Sequence, residues 1–333
     1  MTLDQVQQEQ DAAHLRFAAA EVPQRETLAF KFGGTSLLGA TRMLHAASLV
    51  CDAARQARVV VVVSAMKGVT DRLLDVAHLV SKGNVERAGL EAAGVVRMHE
   101  DALRELALGD EERSRRFAHD LQLLGHDLLH EVSTSRRHTS DAELCDRLAS
   151  FGERFSARLF AVALAASGVN GVPVSSSDFV RTCDTFRDAQ PDLEETRRRG
   201  REVLGPLLET GIIPVVTGFI GATRDGRITT LGRNSSDFSG AIIAHVVDAD
   251  ELVIWTDVDG IYTANPSESS EARLLHDLSY DEAHALAAAG AKVLHAKVLP
   301  LAAEAEMVVL VRNTFNPTAR GTRIGRAENG GVA

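Results

Sequence analysis

The sequence predicts an α/β fold with strands and helices in alternating layers, and two features of its 333 residues carry that prediction. The first is a set of short, near-continuous apolar runs: Thr27 to Phe32, Val59 to Val63, Ile212 to Val216, Leu252 to Trp255 and Met307 to Val311. Runs of that length, rich in Val, Ile, Leu and Phe, suit strands buried on both faces of a parallel sheet. The second is the Ala-rich helical stretches between them, for example Thr41 to Ala57 and Gly240 to Val247. Strands alternating with helices argue for a layered α/β architecture. At roughly 150 residues per domain, the length suits about two domains or lobes.

Taken in order, residues 1–26 are polar and acid-containing, with no apolar signal core, and read as a frayed or weakly helical extension. The strand and helix pattern begins at Thr27. Residues 71–149 differ from the rest, being densely charged and free of strand-like runs. Phe117, Leu121, Leu124, Leu128 and Val132 recur there at helical spacing, one apolar stripe of a helix. The block reads as a helical insertion able to cap a site on the sheet. Residues 326–333 read as a frayed tail.

Composition narrows the class. Apolar residues make up 45% and charged residues 25%, which rules out general disorder. The net charge of −10 disfavours nucleic acid or an anionic membrane as the main partner. Cys51, Cys145 and Cys183 are odd in number and far apart, so neither a disulfide framework nor a zinc ribbon is expected, and a reducing cytoplasm fits. No apolar run approaches the ~20 residues of a membrane span.

The chemistry-bearing residues cluster where predicted strands end. Lys31-Phe32-Gly33-Gly34-Thr35-Ser36 follows the first strand. Paired glycines let backbone approach a ligand, a helix N-terminus binds phosphate, and Lys31 adds a full charge. A plain turn with an exposed lysine fits the same residues. Val63-Ser64-Ala65-Met66-Lys67-Gly68-Val69-Thr70 repeats the pattern, and ligands in open α/β sheets sit outside the carboxyl ends of strands. Ser150-Phe151-Gly152-Glu153-Arg154 offers either a site glutamate or a capping box. Gly232-Arg233-Asn234-Ser235-Ser236-Asp237 sets capping residues beside an arginine whose planar fork binds carboxylate or phosphate. Trp255 to Tyr262 contains Asp257-x-Asp259-Gly260, but Tyr262 stands where a calcium loop needs glycine. Lys292 and His295 in Gly290 to His295 suit solvated helix positions equally well. His126 and His130 have the spacing of a zinc pair, with no third ligand motif after them.

In this order, the motifs Lys31 to Ser36, Val63 to Thr70, Ser150 to Glu153, Thr217 to Gly221, Gly232 to Asp237, Trp255 to Pro266 and Gly290 to His295 resemble those of the aspartokinases, within the amino-acid kinase superfamily. Each is weak alone; the ordered set is specific and covers residues 27–325, the family's catalytic domain. The resemblance implies a three-layer αβα sandwich with a mainly parallel central sheet. It implies an amino-acid lobe over 27–231, with the insertion 71–149, and a nucleotide lobe over 232–325. It also implies an ATP-dependent phosphotransferase that phosphorylates the side-chain carboxylate of L-aspartate, giving 4-phospho-L-aspartate. Lys31 is similar to the lysine that steadies the transferring phosphoryl group, and Asp237 to the residue that organises it. Ser64, Thr70, Glu153, Arg233 and Ser236 match aspartate-binding positions, Glu153 meeting the amino group and Arg233 a carboxylate. Gly33, Gly34, Ser36, Thr256, Asp257, Tyr262 and Lys292 match nucleotide contacts, with Mg2+ held through the ATP phosphates. A cytoplasmic homo-oligomer with small-molecule substrates is the expected setting.

Departures from the family pattern leave two alternatives beside aspartate kinase: another acidic amino acid as acceptor, or a non-catalytic partner subunit. Ser235 stands where the pattern has glycine. Asn265-Pro266-Ser267 replaces Asp-Pro-Arg, with Arg273 the candidate to replace the lost arginine, and Ala296 replaces a proline. One lost charge-assisted hydrogen bond weakens binding by ~1.5–3 kcal/mol. The recognisable kinase sequence ends near Gly321 to Gly325, so the ACT modules that follow it in the family, and their feedback by lysine or threonine, are expected to be missing.

Overall fold

The computed structural model describes residues 25–107, 111–135, 140–233, 235–264, 271–288, 294–295 and 297–326. Expectations placed on residues 1–24, Asn234, Asn265, Pro266, Ser267, Lys292, Ala296 and the tail after residue 326 lie outside them.

β1 (Thr27–Phe32) is an apolar strand interrupted by one lysine, and it lies inside an eight-stranded sheet. It pairs in parallel with β2 (Arg58–Val63) on one side and β7 (Glu251–Thr256) on the other. Beyond β2 come β4 (Ile213–Thr217) and the edge strand β3 (Gly171–Val174), both parallel. Beyond β7 comes β11 (Val308–Asn313), parallel, then β12 (Thr322–Gly325), which reverses direction and carries β10 (Asp277–Ser279) at the far edge. All five apolar runs read from the sequence are strands. The five consecutive valines of β2 are stiff at χ1 and fill a pleated surface well.

Alternation along the strands divides the core in two. Phe30, Phe32, Val61, Val63, Val215 and Trp255 face one apolar layer. There they meet α1 (Ala40–Ala54), α2 (Val69–Ser81), α3 (Val85–Leu106), α4 (Glu111–Thr134) and α6 (Phe151–Ala166). Ala29, Val60, Val62, Val216 and Ile254 face the other, with α7 (Leu193–Glu209), α8 (Ser236–Val246), α9 (Tyr280–Ala288) and α10 (Val298–Glu304). The architecture is the expected αβα sandwich.

The insertion is helical where described. Leu121, Leu124, Leu128 and Val132 are buried and Phe117 is half-buried, as the stripe requires. Gly125 lies against Val96 of α3. The insertion therefore thickens the first helical layer, because its single apolar stripe is consumed by that packing. His126 and His130 are exposed. α5 (Asp141–Ala149) returns the chain to the sheet.

Two small hairpins, β5 (Ile220–Ala222) with β6 (Ile228–Thr230) and β8 (Ile261–Tyr262) with β9 (Leu274–Leu275), stand off the main sheet. No helix among the described residues is long and apolar enough to cross a membrane. Cys51, Cys145 and Cys183 are free thiols.

Candidate active site

The carboxyl ends of β4, β2, β1 and β7 lie side by side, with chain order running off in opposite directions from β1. Such a reversal opens a crevice at the strand ends. Glycines let the loops close around it. A Cβ on Gly34 would stand 2.5 Å from the Ala65 carbonyl oxygen, so the loops after β1 and β2 meet backbone to backbone. A Cβ on Gly152 would lie 2.7 Å from that of Ala65, which seats the first turn of α6 on the same loop. The Gly218 N–H donates to the Val63 carbonyl at 2.9 Å, and the Gly33 N–H to the Trp255 carbonyl at 3.3 Å. Four strand ends are thus stitched together.

Lys31 points away from Phe30 and Phe32, toward α8. Gly240 admits it: a Cβ there would sit 3.1 Å from the Lys31 Cβ. One turn earlier on the helix, Asp237 Oδ1 lies 2.6 Å from Lys31 Nζ, with the side chains only 8% and 15% exposed. An exposed turn lysine is excluded. Asp237 occupies the first turn of α8, where the helix dipole favours a negative charge.

Glu153 settles the other ambiguity. Its Oε1 accepts the Ala65 N–H at 3.0 Å, while the buried Oε2 has no hydrogen-bond partner among the described residues. Burial pushes its carboxyl up to about 8, against the pull of the Ala65 hydrogen bond. The capping box is not formed: Ser150 has helical backbone angles, and its hydroxyl donates to the Arg147 carbonyl at 2.7 Å. The Ser64 Oγ at the end of β2 is likewise buried and unpartnered among the described residues.

The remaining predicted residues surround these groups. Thr70 and Ser236 are half-buried on the first turns of α2 and α8. Arg233 is exposed, 3.7 Å from Asp71 on the α2 turn, a surface pair of little energetic weight that leaves the guanidinium available. Thr256 is half-buried at the end of β7, Asp257 is exposed beyond it, and Tyr262 is half-buried on β8. Ser36 is fully buried, with its hydroxyl 2.7 Å from Thr314 Oγ1, and so ties the β1 loop to the loop after β11. Ser235 is fully buried at φ −80° and ψ 7°, a conformation open to any residue, so serine in place of glycine brings no backbone strain there. Arg273 is held across the β8–β9 hairpin by Thr263, through both backbone and hydroxyl. His295 stacks on Phe238 of α8, with ring centroids 6.1 Å apart. Sequence reasoning missed Thr314 and the buried Asp146 of α5. Neither stands in a motif, and their partners are distant along the chain.

The model of the amino acid kinase family matches residues 26–313. The chain belongs to that family. Lysine-sensitive aspartokinase 3 of Escherichia coli is 32% identical over 303 residues, covering 90% of this chain and 64% of that protein. Chloroplastic aspartokinase 3 of Arabidopsis thaliana is 33% identical over 326 residues, covering 94% of this chain and 55% of that protein. The crystal structure of E. coli aspartokinase III in complex with aspartate and ADP matches with a TM-score of 0.80 at 31% identity, covering 91% of this chain and 65% of that one. The chain thus spans somewhat less than two thirds of the length of these relatives. Their similarity bears out the motif-based reading of family and fold.

Proposed function

We propose that this amino acid kinase is an aspartate kinase, which moves the γ-phosphoryl group of ATP onto the side-chain carboxylate of L-aspartate. The observation that carries the proposal is the presence of two buried devices beside the strand ends: the Lys31–Asp237 ion pair, and Glu153, whose Oε2 has no hydrogen-bond partner among the described residues. An aspartate ammonium placed at Glu153 converts its costly burial into a paired charge. Arg233 and the hydroxyls of Ser64, Thr70 and Ser236 would hold the carboxylates. Thr256, Asp257, Tyr262, Gly33, Gly34 and Lys292 would hold the nucleotide. Relatives bearing the aspartokinase name support the same acceptor.

The chemistry needs little more. The attacking carboxylate has a pKa of ~4 and is ionised at neutral pH, so no general base is required. What must be supplied is in-line positioning and positive charge around the phosphates. Lys31, held in place by Asp237, supplies the charge. No cluster of three or more His, Cys, Asp or Glu able to hold a metal occurs among the described residues. Mg2+ would be carried by phosphate oxygens and water and would neutralise phosphate charge.

The test is to trap acyl phosphate with hydroxylamine over a panel of acidic amino acids in the presence of MgATP. L-Aspartate should give hydroxamate in step with ADP. Turnover of a different acidic amino acid would move the acceptor assignment. No product with any of them would favour the non-catalytic subunit.

A further inference from the structure

We propose that Asp146 on α5 is the positioning residue that fixes the Gly232–Asp237 segment, and through it Arg233, Ser236 and the Lys31 partner Asp237. The proposal rests on the kinase reading above. Asp146 is 2% exposed and belongs to none of the motifs. Its Oδ2 accepts two backbone N–H groups, from Thr230 and from Arg187, each at 2.8 Å. Its Oδ1 accepts the Thr230 hydroxyl at 2.7 Å. One carboxylate therefore joins the end of β6 to the loop at 182–191. Burial pushes its carboxyl up in spite of these three donors.

The two stretches of chain that Asp146 holds both meet the start of the segment at Gly232. Thr230 stands two residues before Gly232, and its carbonyl also accepts the Ala189 N–H at 2.9 Å. Arg187 adopts a φ of 71°, an uncommon conformation for a non-glycine residue, which its bond to Asp146 helps to hold. Next to it, Asp188 leans on Gly232, where a Cβ would lie 3.0 Å from the Asp188 carboxylate. Gly232 itself has a φ of 96°. Asp188 also reaches Lys297 Nζ at 3.2 Å, beside α10. Beyond Gly232 the chain enters α8, so an error at Thr230 is passed to Arg233 and Asp237. Misplacement by ~1 Å is enough to lose ~10²-fold in rate.

Asp146→Ala removes all three acceptors. Asp146→Asn can still accept both N–H groups on its amide oxygen while its NH2 donates to the Thr230 hydroxyl. The expected result for Asp146→Ala is a rise of ~10-fold or more in aspartate KM with ATP KM changed about twofold or less, and substantial recovery in Asp146→Asn. Hydrogen exchange should accelerate at 185–191 and 228–237 but not in β1 and β2. That measurement needs no substrate, so it stands even if wild type phosphorylates nothing in the panel. Should Asp146→Ala fail to fold, Thr230→Val deletes only the hydroxyl bond and should raise aspartate KM by ~3-fold. Equal changes in both KM values, no rescue by asparagine, or unchanged exchange at 228–237 would overturn the proposal.

Discussion

The two sides of the cleft are built in opposite ways. On the side formed by β1, β2 and α6, three polar groups are out of solvent: Lys31 is 7%, Glu153 3% and Ser64 9% exposed. On the side formed by β7 and β8, Thr256 and Tyr262 are half-buried and Asp257 is exposed. Burial is what moves a pKa or strengthens an ion pair. Groups that bind phosphate through N–H and hydroxyl donors need no such shift. The difference teaches where tuned chemistry is kept and where simple docking suffices.

Breaking the buried side should have the largest effect. Lys31→Met should lower kcat by ~10²–10³-fold, the effect of removing the charge proposed to act on the phosphoryl group in transit. It should also destabilise the fold by ~3–5 kcal/mol, because Asp237 loses its partner in a mostly buried position. Adding Asp237→Asn should restore the melting temperature without restoring turnover. Near-normal kcat in Lys31→Met would erase the contrast between the two sides.

Next comes backbone contact. Gly34→Ala must push the β1 and β2 loops apart, and kcat/KM should fall by ~10–10²-fold. Gly33→Ala provides the control for folding. Its Cβ would have 3.6 Å to the nearest atom, so circular dichroism melts should match wild type. Equal melting temperatures for the two variants would show that the loops are not tightly joined.

A smaller effect sharpens the comparison through pH. The Glu153 carboxyl is raised to about 8 from an ordinary 4.5, so the protonated form is the one the ligand-free fold favours. Its contribution to stability is full below the ordinary value and fades as pH rises through about 8. The proposed aspartate binding has the opposite sign, because the ammonium needs the carboxylate. Below pH 8 binding should release a proton, seen as a calorimetric enthalpy that varies with buffer ionisation. Glu153→Gln should abolish that dependence. On the open side, Tyr262→Phe should change ATP KM about twofold or less, in line with the ~0.5 kcal/mol typical away from buried features. A tenfold change there would mean that the open side is tuned as well.

Much of this was legible in the sequence. Apolar runs revealed the strands because both faces of the sheet are buried, so the signal is continuous rather than alternating. The hairpins at Ile220 and Ile261 were missed since two or three residues cannot establish a period. Trp255 directly precedes Thr256, and its ring stacks on Phe32 with centroids 6.1 Å apart, in the layer opposite Lys31. Glu153 matched a capping pattern, and its hydrogen bond to Ala65 across the fold, with the Ser150 hydroxyl turned to the Arg147 carbonyl, distinguishes the two readings. Ser36 is similar, since Thr314 is 278 residues away.

The single lysine in β1 also polices how the strand is laid down. Slipping β1 by one residue against β2 would turn Lys31 into the layer of Phe160 and Trp255 and expel Phe32 from it. An ammonium stranded there would lack both water and Asp237, at a cost of several kcal/mol. A misaligned sheet is therefore rejected by the same charge that the aligned one pairs with Asp237. Any variant that neutralises Lys31 removes a proofreading step from folding as well as a charge from the cleft, and should yield more misassembled chain during refolding.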